Sequence, residues 1–140
     1  MRRLPLLTLA ILAVFLACGV AQADQMKFKA DLRAGPGVTS AGKGSATASL
    51  DTATKTLTWT VDYSGLSGST TAAHIHGPAD PGANAGIVVP FTGNLASPIN
   101  GSATLTDAQI AQLEAGKWYV NIHTEANRGG EIRGQLVRAS

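Results

Sequence analysis

A strict alternation of apolar and polar residues, in short blocks separated by turn-forming residues, constrains this chain more than any other feature. Phe28, Ala30 and Leu32 alternate with Lys27, Lys29 and Asp31; Ala46, Ala48 and Leu50 alternate with Ser45, Thr47 and Ser49; Leu57, Trp59, Val61 and Tyr63 alternate with threonines and Asp62. Successive side chains on a strand point to opposite faces, so each block reads as a half-buried strand. The polar run Asp51 to Thr56 is short enough to close a hairpin between the second and third blocks. Ala72 to His76, Ile87 to Phe91, Gly101 to Leu105, Trp118 to Glu125 and Glu131 to Val137 supply further strands between Gly-, Pro- and Asn-rich turns. About eight strands at this spacing predict an all-β fold, a Greek-key β-sandwich of antiparallel strands that is superoxide-dismutase-like or Ig-like. The Gly/Ser/Thr-rich stretch Gly35 to Gly44 reads as a long loop.

One short helix interrupts the strands. Thr106 followed three residues later by Gln109 is a capping-box pattern, and Gly116 supplies the C-terminal stop. With Ile110 and Leu113 as its apolar edge, the helix is expected to cover an open end of the sandwich and to carry no chemistry.

The N-terminus has a different logic. Arg2 and Arg3 precede the apolar run Leu4 to Val20, and Ala21-Gln22-Ala23 comes just before Asp24. That order of charge, apolar stretch and small residues is a secretory signal peptide over 1–23, cleaved after Ala23, with a single domain over 24–140. Lipoprotein processing at Cys18 fits less well, because Phe15-Leu16-Ala17 departs from the residues that route favours. The mature domain is expected to be periplasmic or secreted, with no membrane span.

Cleavage removes the sole cysteine, so the mature domain has neither a disulfide nor a thiolate ligand, and its stability rests on the core. It also removes Arg2 and Arg3, which brings the 11 basic residues level with the 9 acidic ones. The remaining lysines and arginines are scattered, which argues against nucleic acid as a partner. No Ser/His/Asp set, phosphate loop or paired carboxylate is legible, and this points away from an enzyme.

What chemistry the chain offers lies in its 3 histidines. His74 and His76 share one face of a strand, with Ala73 and Ile75 on the other. If Ala126 to Gly130 form a five-residue turn, Glu125 faces Glu131, His123 faces Arg133 and Asn121 faces Gln135, all on the outer face, while Val120, Ile122, Ile132 and Leu136 face the core. Two imidazoles side by side are half of a metal site, and His123 completes a set of three if the two strands lie close in space. Copper or zinc is the natural guest for imidazole donors. Asn121, Glu125, Glu131 and Arg133 are candidates to orient the rings from behind, with Glu125 and Arg133 forming an ion pair that braces His123. Alternatively, the histidines serve only as hydrogen-bonding partners of these neighbours, in a module that binds another extracytoplasmic protein or a matrix polymer.

Several stretches carry a family resemblance. His74-Ile75-His76-Gly77-Pro78-Ala79, Gly86-Ile87-Val88-Val89, Trp118-Tyr119-Val120-Asn121-Ile122-His123-Thr124-Glu125 and Gly129-Gly130-Glu131-Ile132-Arg133-Gly134-Gln135-Leu136, in this order, resemble the CHRD domain first named in chordin. The resemblance runs from about Phe28 to Val137 and implies an extracytoplasmic β-sandwich module, which in chordin is part of a secreted growth-factor antagonist. A fainter likeness of the His-x-His strand to the copper site of copper/zinc superoxide dismutase implies a third reading, a copper redox enzyme. That enzyme needs more histidines, a separate zinc site and a cysteine pair, and this chain has none of these additions.

Overall fold

The computed structural model describes residues 24–140 together with Ala13, Val14 and Leu16. Apart from those three, the expected leader over 1–23, with its Ala21-Gln22-Ala23 site and Cys18, lies outside the described residues. Nine antiparallel strands run in the order β1 (Gln25–Ala34), β2 (Lys43–Asp51), β3 (Thr56–Ser64), β4 (Thr70–His76), β5 (Ile87–Pro90), β6 (Ile99–Thr104), β7 (Tyr119–Thr124), β8 (Ile132–Gln135) and β9 (Val137–Arg138). Among the described residues the one helix, α1 (Asp107–Glu114), lies between β6 and β7.

The strands form two faces of a nearly closed sandwich. Lateral order is β5-β4-β7-β8-β1-β2-β3-β6, with β9 also paired to β1. Strand β1 joins the halves: Met26 to Leu32 pair with β2, while Arg33 and Ala34 at its far end pair with Arg133 and Ile132 of β8. The seam needs a small residue, because a Cβ at Gly134 would collide with the carbonyl of Asp31. The expected final strand is split here into β8 and β9, with Leu136 buried between them.

The alternating blocks bury the predicted faces. Phe28, Ala30 and Leu32 of β1, Ala46, Ala48 and Leu50 of β2, and Leu57, Trp59 and Val61 of β3 pack against Ala73, Ile75, Val120, Ile122 and Ile132 from the other sheet. Trp59 stacks on Phe91 with ring centroids 4.9 Å apart. Each large side chain buried in this way contributes about 1.5–3 kcal/mol of transfer free energy, and this core must suffice without a disulfide among the described residues. The hairpin from β2 to β3 closes as expected, with Asp51 accepting from the backbone N–H groups of Ala53 and Thr54.

The helix is capped at both ends by the residues that predict it. Thr106 Oγ1 accepts from Gln109 N at 3.2 Å, and Gln109 Oε1 accepts from Thr106 N at 2.9 Å. At the other end, Gly116 takes φ +72°, and Gly116 N and Lys117 N donate to the carbonyls of Leu113 and Gln112, a Schellman motif. Leu113 is fully buried, and Gln112 accepts from the Trp118 indole N–H at 3.0 Å, so the helix is fastened to the start of β7. Among the described residues no helix is long and apolar enough to cross a membrane.

Candidate metal centre

Strands β4 and β7 are neighbours, and their register brings the three histidines together. Ala72 pairs with His123, His74 with Asn121 and His76 with Tyr119. Ala73, Ile75, Val120 and Ile122 point into the core, as predicted. His74, His76 and His123 therefore share the outer face, and one ring nitrogen of each lies within 4.8 Å of the others. Ring centroids are 4.9 Å apart for His74 and His123, 5.3 Å for His74 and His76, and 5.9 Å for His76 and His123.

Two backbone carbonyls fix the rings. His76 Nδ1 lies 2.9 Å from the carbonyl of Ala85, and His123 Nδ1 lies 2.8 Å from that of Arg128. A carbonyl oxygen only accepts, so each Nδ1 carries the proton and each Nε2 presents its lone pair. The Nε2 of His76 is buried without a hydrogen-bond partner. His74 Nδ1 lies 3.1 Å from His123 Nε2, which makes His74 the donor in that contact. Two nitrogens each about 2.0–2.1 Å from a tetrahedral ion would be about 3.3 Å apart, so a metal can replace this proton with little ring movement.

The surroundings of two rings favour the neutral form, the one that binds metal. Burial lowers the His74 pKa, with further lowering from His123 and His76. Burial also lowers that of His76, which the Ala85 carbonyl partly opposes and which His123 and Arg133 reinforce. His76 stacks on Tyr119 at 5.0 Å with the rings nearly parallel, and the Arg133 guanidinium lies 3.7 Å from the centroid on Tyr119. Neither the carbonyl anchors nor the Tyr119 stack was predicted from sequence: a loop carbonyl has no side-chain signature, and an alternating tyrosine looks like any half-exposed strand residue.

The hairpin that carries His123 differs from the sequence expectation in register. Ile122 pairs with Ile132, Asn121 with Arg133 and Tyr119 with Gln135, two positions from the anticipated pairing. A shift of two keeps every side chain on its face, so the division into core and outer residues survives. Glu131, just before the returning strand, was expected on the outer face but is fully buried. Its carboxylate accepts from Ser40 Oγ, the N–H and Oγ of Ser67, Thr124 Oγ1 and Asn127 Nδ2. Burial alone would raise its pKa, but the bonds from Ser40, Ser67 and Thr124 outweigh that and hold it at about 2.

The other candidates around the rings are also placed. Asn121 is buried beside His74 and donates to the Gly129 carbonyl at 3.4 Å. Arg133 donates to Asn84 Oδ1 and the Ala83 carbonyl, so the expected ion pair with the exposed Glu125 does not form. Among the described residues the salt bridges are Lys55 with Asp107 and Lys117 with Asp80, neither at the histidines.

The molecule is thus an antiparallel β-sandwich with a three-imidazole cluster on one outer face. A family model for the CHRD domain matches residues 28–136, and the chain belongs to the CHRD domain family. Neither a curated protein nor a solved structure matches the chain significantly.

Proposed function

We propose that this CHRD domain binds one transition-metal ion, copper or zinc, through His74, His76 and His123. The observation that carries the reading is the buried, unpartnered Nε2 of His76, held toward two other imidazoles by a proton fixed on the far side of its own ring. A buried polar atom without a partner costs about 1–3 kcal/mol, and a bound cation removes that cost. Imidazole donors suit both metals.

Elemental analysis and calorimetry on chelator-stripped protein test this. One equivalent of Cu(II) or Zn(II) is expected, with thermal stabilisation that grows with metal concentration, about 2.7 kcal/mol at a hundredfold excess over Kd. His76→Ala and His123→Ala should abolish uptake. A natively folded protein that takes up no ion would leave a protein- or polymer-binding module in which the histidines only bond one another. We also propose that residues 1–23 are a cleaved leader and that the domain over 24–140 works in the periplasm or outside the cell. N-terminal sequencing of the protein from that compartment should begin at Asp24, and a start at Met1 would refute the cleavage.

A further inference from the structure

The cluster supplies three ligands and no charge. Among the described residues it includes no Asp or Glu. Glu131 is engaged with Ser40, Ser67, Thr124 and Asn127, and none of its bonds reaches a ring. A divalent ion held by three neutral imidazoles keeps its full +2 charge, and a site with three protein ligands retains a position for an outside ligand.

The side on which that position falls follows from burial. His76 is 8% exposed, whereas His74 and His123 keep part of their surface in water. The loop 77–86 flanks the rings through Ala85, and the turn 125–130 flanks them through Arg128. Beside the rings, between this loop, the turn and the segment 35–38, lies a cleft of about 260 Å³, whose lining includes Asn84, Asn121, Asn127 and Arg133 and, among the described residues, neither an acidic residue nor any of the three histidines. Asn121 is the cross-strand neighbour of His74 and so lies on the same face as the rings. Arg133 is the only charged residue of the lining, and its guanidinium is held over Tyr119, which in turn stacks on His76.

We infer that the metal-loaded cluster is an anion site: a small anion completes the coordination of the ion and is drawn there by the uncompensated charge and by Arg133 in the adjoining cleft. This rests on the proposed metal site. A neutral ligand would gain nothing from the missing carboxylate, whereas an anion gains from both the ion and the guanidinium.

Azide titration of the copper-loaded protein, followed by the azide-to-copper charge-transfer band and by electron paramagnetic resonance, tests the inference. One saturable transition is expected, with one azide per copper. In Arg133→Gln the azide Kd should rise by about threefold or more, as expected for loss of one nearby charge in a partly solvated site. Copper bound at one equivalent with no spectral response to azide would overturn the anion site and leave the metal reading standing. Failure to take up copper at all would overturn both. An unchanged azide Kd in Arg133→Gln, with copper still bound, would overturn the part assigned to the cleft.

Discussion

The two sheets of this sandwich begin from the same alternation of residues and end with different outer faces. On the sheet formed by β1, β2, β3 and β6, outward side chains such as Lys29, Thr47 and Thr58 are exposed and make few bonds beyond a neighbouring strand. On the sheet formed by β4, β5, β7 and β8, the outward residues His76, Tyr119 and Asn121 are buried. Among the described residues the four buried polar or charged ones, His76, Asn121, Thr124 and Glu131, all belong to this second half. The difference lies in the connections. A short polar turn closes β2 and β3, whereas the loop 77–86 and the turn 125–130 fold back over their own sheet and bring the carbonyls of Ala85 and Arg128 onto the rings. A polar outward residue costs nothing in water but needs a specific partner under a loop, so ordered polar chemistry gathers where loops cover a sheet.

If that contrast is real, its largest effect should appear at Glu131. Glu131→Ala removes the carboxylate that gathers donors from Ser40, Ser67, Thr124 and Asn127 and leaves the buried Thr124 hydroxyl without its acceptor. A loss of about 4 kcal/mol is expected by urea denaturation, within the range for breaking a buried charged network. The same group sets an acid limit. Its pKa is about 2 in the fold against an ordinary 4.5, so the unfolded chain binds the proton more readily. Its contribution, about 3 kcal/mol, is fully present above pH 4.5 and is lost as the pH falls toward 2. Stability measured from pH 6 to pH 2 should show this decline in the native protein and a shallower one in Glu131→Gln. Equal slopes would place the acid sensitivity elsewhere.

The same contrast explains what the sequence disclosed. Every strand of the first sheet was legible, because Phe28, Ala46, Trp59 and their neighbours alternate with residues that water satisfies, and burial then follows period two. The helix was legible to the residue at its caps, because Thr106, Gln109 and Gly116 act through their own backbone. The three-histidine face could also be read, since it needs only the pleat, but its convergence could not: the pairing of β4 with β7 joins segments more than forty residues apart, and nothing local encodes it. The hairpin register was missed by two because residues two apart share a face, so the alternating pattern fits either pairing, and the burial of Glu131 was missed because its partners Ser40 and Ser67 come from distant loops. Long-range partners of this kind lie outside any local pattern.

A pair of strand threonines gives the smallest effects and sets a buried polar contact against an open one. Thr124 and Thr58 both sit on strands, and replacing either by Val keeps the branched shape and strand propensity. Thr124 Oγ1 donates to Glu131 at 2.8 Å and accepts from Asn127 N at 3.1 Å, in full burial. Thr58 Oγ1 makes one exposed contact with the Ser49 carbonyl at 3.4 Å. Thr124→Val should therefore cost about 2–3 kcal/mol, since it takes a donor from a carboxylate and orphans an N–H. Thr58→Val should fall within about 0.5 kcal/mol of the parent, as for an ordinary surface change. Chemical denaturation of the two variants side by side measures the difference. If they cost the same, the bonds beneath the turn 125–130 are no stronger than those open to water, and the second sheet would owe its order to packing alone.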